Sequence, residues 1–223
     1  PEASMRSLFR IMSFCLLGLA FAFVRQGVCA APISGSPADT ASPITIVCLN
    51  DNEPLSFTSK AGEPAGLMVD LWHLWGEKVG RPVKIIMADW QDSLDELRSG
   101  RADIHFSMYI TPERASWAKF GPAVSPGMGG VLLSANADKK IVDASQLGDA
   151  VIAVLDGSLQ EEYLREHYPN VRLLVVKNGY EMYLSVVRGQ AVGLASNFPS
   201  AYGVIDKMGL NSSFMPQAIT LFV

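Results

Sequence analysis

The residue in this chain whose type and setting point most directly to chemistry is Arg114. It lies in Thr111-Pro112-Glu113-Arg114, a few residues after a short apolar run at 104–106 that reads as a buried strand. Thr111 suits the capping position of a helix, Pro112 its first turn and Glu113 its positive end. The pattern predicts a short helix beyond the C-terminal edge of a strand, where open α/β sheets gather ligands. A guanidinium held there is a rigid fork for a carboxylate, and free amides at the helix start favour the same anion. The alternative is a surface arginine closing an ion pair with Glu113 or Asp103.

Asp156-Gly157-Ser158 is a second candidate, set between the strand-like VIAVL and the helical LQEEYLREHY. A glycine turn followed by a hydroxyl cap builds an anion site from helix amides, although ordinary capping uses the same residues. Paired with Arg114 from another lobe, Gly157 and Ser158 would make a two-sided clamp. Asn197 follows the strand-like AVGLA, where its amide can meet a ligand or cap a helix. Phe57, Trp90, Met108 and Tyr109 are candidate apolar walls, while Trp72, Trp75 and Trp117 read as packing residues. Asp70 sits inside an otherwise apolar helix and faces either a cleft or solvent.

Catalytic signals are sparse. His73, His105 and His167 have no metal-ligand spacing, and His105 falls in a strand where a core imidazole is expected. There is no G-x-S-x-G elbow and no glycine-rich phosphate loop after a strand. Cys48 reads as a buried thiol. No cofactor or metal is implied, and an enzymatic reading has only Asp156 and Asp70 as acid or base. A cleft with an anion grip and no nucleophile argues for binding.

These residues must be positioned by alternating elements. ITIVCL (44–49) reads as a strand, GLMVDLWHLWGEKVG (66–80) as a helix with its apolar rhythm on Leu67, Leu71, Leu74, Trp75 and Val79, and PVKIIM (82–87) as a strand. A helix at 90–98 and a strand at 102–106 complete a β-α-β-α-β order, which implies parallel pairing. After a polar turn at 136–140 a second set follows: strands at 150–155, 171–176 and 191–195, helices at 158–167, 179–187 and 199–208, and an apolar run at 218–223. Two successive sets predict two lobes with a cleft between them. The expected organisation is a leader at 1–30, a linker at 31–43, a first lobe at 44–133, a second lobe at 134–215, and a strand at 216–223 returning to the first lobe.

Composition bounds the partners. The 223 residues carry 18 basic and 22 acidic side chains, and no Lys/Arg cluster interleaves with aromatics, so nucleic-acid binding is not expected. Arg6 and Arg10 make a basic start before an apolar run at 11–24 that is too short to span a bilayer, and Val28-Cys29-Ala30 offers small residues for cleavage. A secretory signal peptide is the expectation, with an uncleaved anchor as the alternative and residues 1–4 as a start artefact. Removing the leader takes Cys15 and Cys29 with it and leaves Cys48 without a disulfide partner.

From 44 to about 208 the chain resembles the family 3 periplasmic solute-binding proteins. The resemblance rests on four stretches in order: NEPLSF after the first strand, GEPAGLMVDL, LRSGRADIHFSMYITPERASWAKFGPAV and AVIAVLDGSLQEEYL. It implies the α/β two-lobe, type 2 periplasmic-binding fold with a ligand cleft between lobes, acting as a monomer in the periplasm. It further implies that Arg114 grips a ligand α-carboxylate with help from Thr111, that Gly157 and Ser158 supply the second lobe's contribution, and that Asp70 is structural. Leu55 replaces a common covering aromatic, and Asn197 and Val192 replace usual acidic residues, which weakens the case for an ordinary amino acid. The implied ligand is a small carboxylate or amino-acid-like solute. The implied partner is an ABC permease, or else a membrane-spanning and signalling region continuing from the same chain, as in a diguanylate cyclase or histidine kinase; a periplasmic dehydratase-like enzyme is a third possibility. The family pattern also places a helical portion after a strand like 218–223, so a C-terminally truncated sequence is expected.

Overall fold

The computed structural model describes residues 42–123 and 127–223. The expected leader, most of the expected linker, Cys15 and Cys29 lie outside them. The order of elements is β1 (Ile44–Leu49), β2 (Asp51–Asn52), β3 (Ser56–Thr58), β4 (Pro64–Ala65), α1 (Leu67–Val79), β5 (Val83–Ala88), α2 (Trp90–Arg98), β6 (Ile104–His105) and α3 (Pro112–Ala115). There follow β7 (Gly129–Ser134), β8 (Val151–Leu155), α4 (Leu159–His167), β9 (Arg172–Val176), α5 (Gly179–Val187), β10 (Gly193–Asn197), α6 (Phe198–Lys207) and β11 (Phe214–Phe222). No helix among the described residues is long and apolar enough to cross a membrane.

The first lobe is a parallel sheet in the order β5-β1-β6. Its central strand follows from the β-branched ITIVCL: Ile46, Val47 and Cys48 are wholly buried, covered on both faces as parallel sheets require. Burial pushes the Cys48 thiol up to about 11, which keeps it protonated and inert. The segment after β1 holds a small antiparallel meander, β2-β3-β4.

α1 is present where predicted and ends at Gly80 in a left-handed turn, but it presents a different face. Val69 and Gly76 are buried and Met68 and Trp72 pack on the sheet, whereas Leu67, Leu71, Leu74 and Val79 are exposed. Gly76 explains the rotation. A Cβ there would lie 2.8 Å from both the Arg81 carbonyl oxygen and Val83 Cγ2, so only glycine lets the helix approach β5.

The second lobe is a five-stranded sheet in the order β11-β7-β10-β8-β9. Successive residues of β7 feed opposite cores: Val131 and Leu133 meet Leu164 of α4, and Leu132 meets Met182, Val186 and Val204 of α5 and α6. Two expectations are corrected here. The VLLS strand, assigned to the first lobe, pairs antiparallel with β10 and belongs to this sheet. The final strand, expected to return to the first lobe, pairs antiparallel with β7, with Ala218 opposite Leu132. A β-branched run between two turns carries no mark of the sheet it joins. The polar turn that suggested a boundary at 136–140 is a connection inside the second lobe.

Candidate functional site

A cavity of about 110 Å³ lies where the two sheets' C-terminal edges face each other. Asp51, Asn52, Trp90, Tyr109 and Arg114 line it from the first lobe, and Ser158, Gln160, Gly179, Tyr183 and Asn197 from the second. Such a position follows from open α/β sheets presenting loops and helix starts at one edge.

Arg114 is set by the local chemistry expected of its motif. Pro112 opens α3, and the Thr111 hydroxyl accepts the Arg114 N–H at 3.2 Å. The side chain turns inward and is only 4% exposed. Nη1 donates to the Tyr109 carbonyl and Nη2 to the Gly157 carbonyl, each at 3.1 Å, so the guanidinium touches both lobes. The face of Trp90 lies 5.0 Å from it. No carboxylate among the described residues stands within ion-pair distance of Arg114. Glu113 instead pairs with Arg98 at 3.5 Å, and Asp103 accepts the Thr45 amide at 2.8 Å. A buried guanidinium satisfied only by neutral carbonyls is an unneutralised charge, and burial lowers its pKa from the ordinary arginine value.

Trp90 is itself held. Its Nε1 donates to the Gly157 carbonyl at 3.3 Å, and His105 packs edge-on at 5.7 Å. His105 shares a 2.8 Å hydrogen bond with the Ser93 hydroxyl, which donates to the Trp90 carbonyl at 2.6 Å. Burial, and then the Arg114 charge, push His105 down to about 4, so it stays neutral behind the arginine. Trp90→Phe removes the indole donor and leaves a smaller ring in a buried site. A loss of about 2 kcal/mol or more in stability is expected by chemical denaturation, from the lost hydrogen bond and the space left behind.

Further polar contacts join the lobes. Gln91 Nε2 donates to the Asp156 carbonyl at 2.8 Å, Asn197 Nδ2 to the Tyr109 hydroxyl at 2.9 Å, and the Ser200 hydroxyl to Asn52 Oδ1. At the far rim the buried Glu53 carboxylate accepts from the Tyr180 hydroxyl at 2.9 Å and from Lys207 Nζ, while Lys207 reaches the same hydroxyl at 2.8 Å.

The structure brings Arg114, Trp90, Tyr109, Ser158 and Asn197 together at the cavity. It places the others elsewhere. Thr111 is a buried cap, Phe57 lies under Lys207 at 5.2 Å, and Met108 is half-buried outside the lining. Asp70 is exposed in the first turn of α1, and neither it nor Asp156 lines the cavity. The anion site expected at the start of α4 is already satisfied. The Gly157 N–H donates to Glu161 Oε2 at 2.7 Å, and the Ser158 hydroxyl accepts the Glu161 N–H at 3.2 Å. Gly157 instead offers its carbonyl across the cleft. Glu161 three residues past a serine is a capping-box spacing, the signal that could have foretold this.

Asp51, Asn52, Ser107 and Gln160 were not anticipated. Asp51 accepts a backbone hydrogen bond from Gly179 at the start of α5, and a Cβ on Gly179 would overlap the carboxylate. Ser107 has φ 76°, the left-handed conformation uncommon for a side-chain-bearing residue, and its hydroxyl accepts from Asn52 Nδ2 at 3.2 Å. Burial, then the charges of Asp89 and Glu53, push Asp51 up to about 6. The folded chain therefore holds a proton on Asp51 between about pH 4 and 6 that the unfolded chain releases. This contribution to stability is complete below about pH 4 and is lost as pH rises through 6. Asp51→Asn should then be more stable than the parent at pH 7.5 by about 1–2 kcal/mol, with the advantage gone by pH 4, as read by denaturant midpoints.

Comparison with known proteins bears on this cleft. The family model for bacterial extracellular solute-binding proteins, family 3, matches residues 44–209. The virulence sensor protein BvgS of Bordetella pertussis is 27% identical over 166 residues, which are 74% of this chain and 13% of that protein. The chain thus spans about an eighth of the length of the curated relatives it matches. Among solved structures, a histidine kinase sensor domain with similarity to periplasmic binding proteins superposes with TM-score 0.75 at 19% identity, over 82% of this chain and 78% of that one. An ancestral arginine-binding protein bound to arginine gives TM-score 0.71 at 19% identity, over 79% and 78%. These likenesses show the two-lobe periplasmic-binding fold.

Proposed function

We propose that this chain, which belongs to the bacterial extracellular solute-binding proteins, family 3, binds a small carboxylate-bearing solute between its lobes and works by closing on it. The observation that carries this reading is Arg114: a buried guanidinium at the cavity, hydrogen-bonded across both lobes, with no carboxylate of its own among the described residues. A ligand carboxylate supplies the missing charge. Since Arg114 and Trp90 reach Gly157 only when the lobes meet, contacts to the ligand and contacts between lobes favour the same closed state, which is a population shift.

Closure is proposed to serve signalling rather than delivery to an ABC permease. What favours this is that the curated proteins matched are sensor proteins of which the matched region is a small part. No catalytic role is assigned.

A thermal-shift screen of small carboxylates against the full chain tests the binding reading. Ligand bound only by the folded state stabilises by mass action, about 2.7 kcal/mol at a hundredfold excess over Kd, so an upward shift of several degrees is expected from at least one compound. A flat panel would overturn it. For the output, the chain exchanged into BvgS at the matched region should make a reporter respond to the same compound; compound uptake with a co-expressed permease and no reporter response would favour transport.

A further inference from the structure

We propose that Ser93 and His105 are positioning residues for the anion grip: their hydrogen bond fixes the Trp90 indole and, through it, the Arg114 guanidinium, although neither of them lines the cavity. This rests on the reading of Arg114 as a carboxylate grip and adds what holds that grip in place.

The proton count fixes the direction of the bond. A serine hydroxyl carries one proton and a carbonyl can only accept, so the 2.6 Å contact with the Trp90 carbonyl uses the Ser93 proton. In the 2.8 Å contact between Ser93 Oγ and His105 Nε2 the imidazole is then the donor. That places the neutral ring's proton on Nε2 and leaves Nδ1 bare, buried and without a partner among the described residues. The opposite tautomer needs the Ser93 proton for Nε2 and so strips the Trp90 carbonyl of its hydroxyl donor.

Ser93 is wholly buried on α2 and His105 ends β6, so the bond ties the start of α2 to the strand that leads into the segment carrying Arg114. It acts on Trp90 twice. Ser93 holds the Trp90 carbonyl, and the His105 ring packs edge-on against the indole at 5.7 Å. The indole meets Arg114 twice in turn. Its face lies 5.0 Å from the guanidinium, and its Nε1 donates to the Gly157 carbonyl at 3.3 Å, the same oxygen that Arg114 Nη2 reaches at 3.1 Å. Two donors converge on one oxygen only while indole and guanidinium keep their mutual placement. A tilted indole therefore frees the guanidinium to turn, and a fork turned out of plane loses one of its paired bonds to a carboxylate. An imidazole suits this place only while neutral, and burial, then the Arg114 charge, keep it so.

The test measures propionate affinity of the full chain and its variants by isothermal titration. Glutamine carries an amide nitrogen at the depth of Nε2 and asparagine at the depth of Nδ1, so His105→Gln keeps the donor to Ser93 and His105→Asn does not. Ser93→Ala and His105→Asn are expected to weaken binding about tenfold, the upper worth of one hydrogen bond, and His105→Gln by less than about threefold. In an Arg114→Lys background, which lacks the planar fork, Ser93→Ala should cost less than about threefold, a coupling that a general loss of packing does not produce. Nitrogen-15 NMR of the parent chain should show His105 protonated at Nε2 and bare at Nδ1, a readout that holds even if the variants fold poorly. Unchanged affinity in Ser93→Ala, equal losses in His105→Gln and His105→Asn, a cost of Ser93→Ala undiminished by Arg114→Lys, or a proton on Nδ1 would overturn the assignment and leave Arg114 as the grip. Propionate affinity unchanged by Arg114→Lys, or no binding by the parent chain, would overturn the Arg114 reading and this one with it.

Discussion

Replacing Arg114 with alanine is expected to weaken binding of a small carboxylate by about 100-fold or more. Truncating one partner of a buried, hydrogen-bonded charge pair costs roughly 2–5 kcal/mol, and each ~1.4 kcal/mol is a factor of ten. The loss has two sources. The ligand carboxylate would enter a site with no charge to meet it, and the Tyr109 and Gly157 carbonyls would lose the donor that links the lobes. Arg114→Lys separates these effects. It keeps the charge but replaces a planar fork with a single ammonium, so an intermediate loss of about tenfold is expected. Titration of both variants with the best compound from the carboxylate panel measures this. Unchanged affinity in Arg114→Ala would mean that the arginine is only an interlobe tie.

The second large effect is expected at Gly203, which touches no ligand. It lies on α6, and a Cβ there would sit 2.5 Å from the Glu53 carbonyl oxygen and 2.8 Å from its carbon. Neither atom is a flexible side-chain end. The helix cannot turn away, because Ala201, Val204 and Ile205 are buried in the second lobe's core. Gly203→Ala must therefore move the lobes apart at this rim. That strains the Glu53 contacts with Lys207 and Tyr180 and the bond between Ser200 and Asn52. Alanine also improves an α-helix over glycine by about 1 kcal/mol, so the second lobe itself should not weaken. A loss of ligand affinity of about 30-fold is expected, alongside a larger radius of gyration by small-angle scattering. Parental affinity and scattering together would show that closure at this rim does not govern binding.

Much of the fold was legible because local signals agreed with the global arrangement. The β-branched ITIVCL gave a buried central strand, and Trp90 to Arg98 gave a helix over the expected span. What the sequence concealed was decided by tertiary contact. The face that α1 turns inward is fixed by the close approach of Gly76 to Val83, not by the leucine rhythm that suggested the helix. The sheet to which VLLS belongs depends on its pairing with β10, for which a strand carries no local mark.

The site divides in the same way. Arg114 was readable because its capping threonine, first-turn proline and strand-edge position are all local features. Asp51 was not, because its importance comes from Gly179, 128 residues later, whose missing side chain admits the carboxylate to the start of α5. The acid-rich NDNE directly after the first strand nonetheless lies at the sheet edge where ligands gather. Gly157 shows the converse. A helix start looked open to an anion until Glu161 closed it from within the same turn.

The central claim is that the cleft holds a carboxylate on Arg114, and a co-crystal structure with the tightest compound of the panel tests it most directly. The account predicts the ligand carboxylate within about 3 Å of the Arg114 guanidinium, a charge-assisted hydrogen-bond distance, and between the two lobes. A ligand bound elsewhere, with Arg114 still satisfied only by the Tyr109 and Gly157 carbonyls, would contradict it.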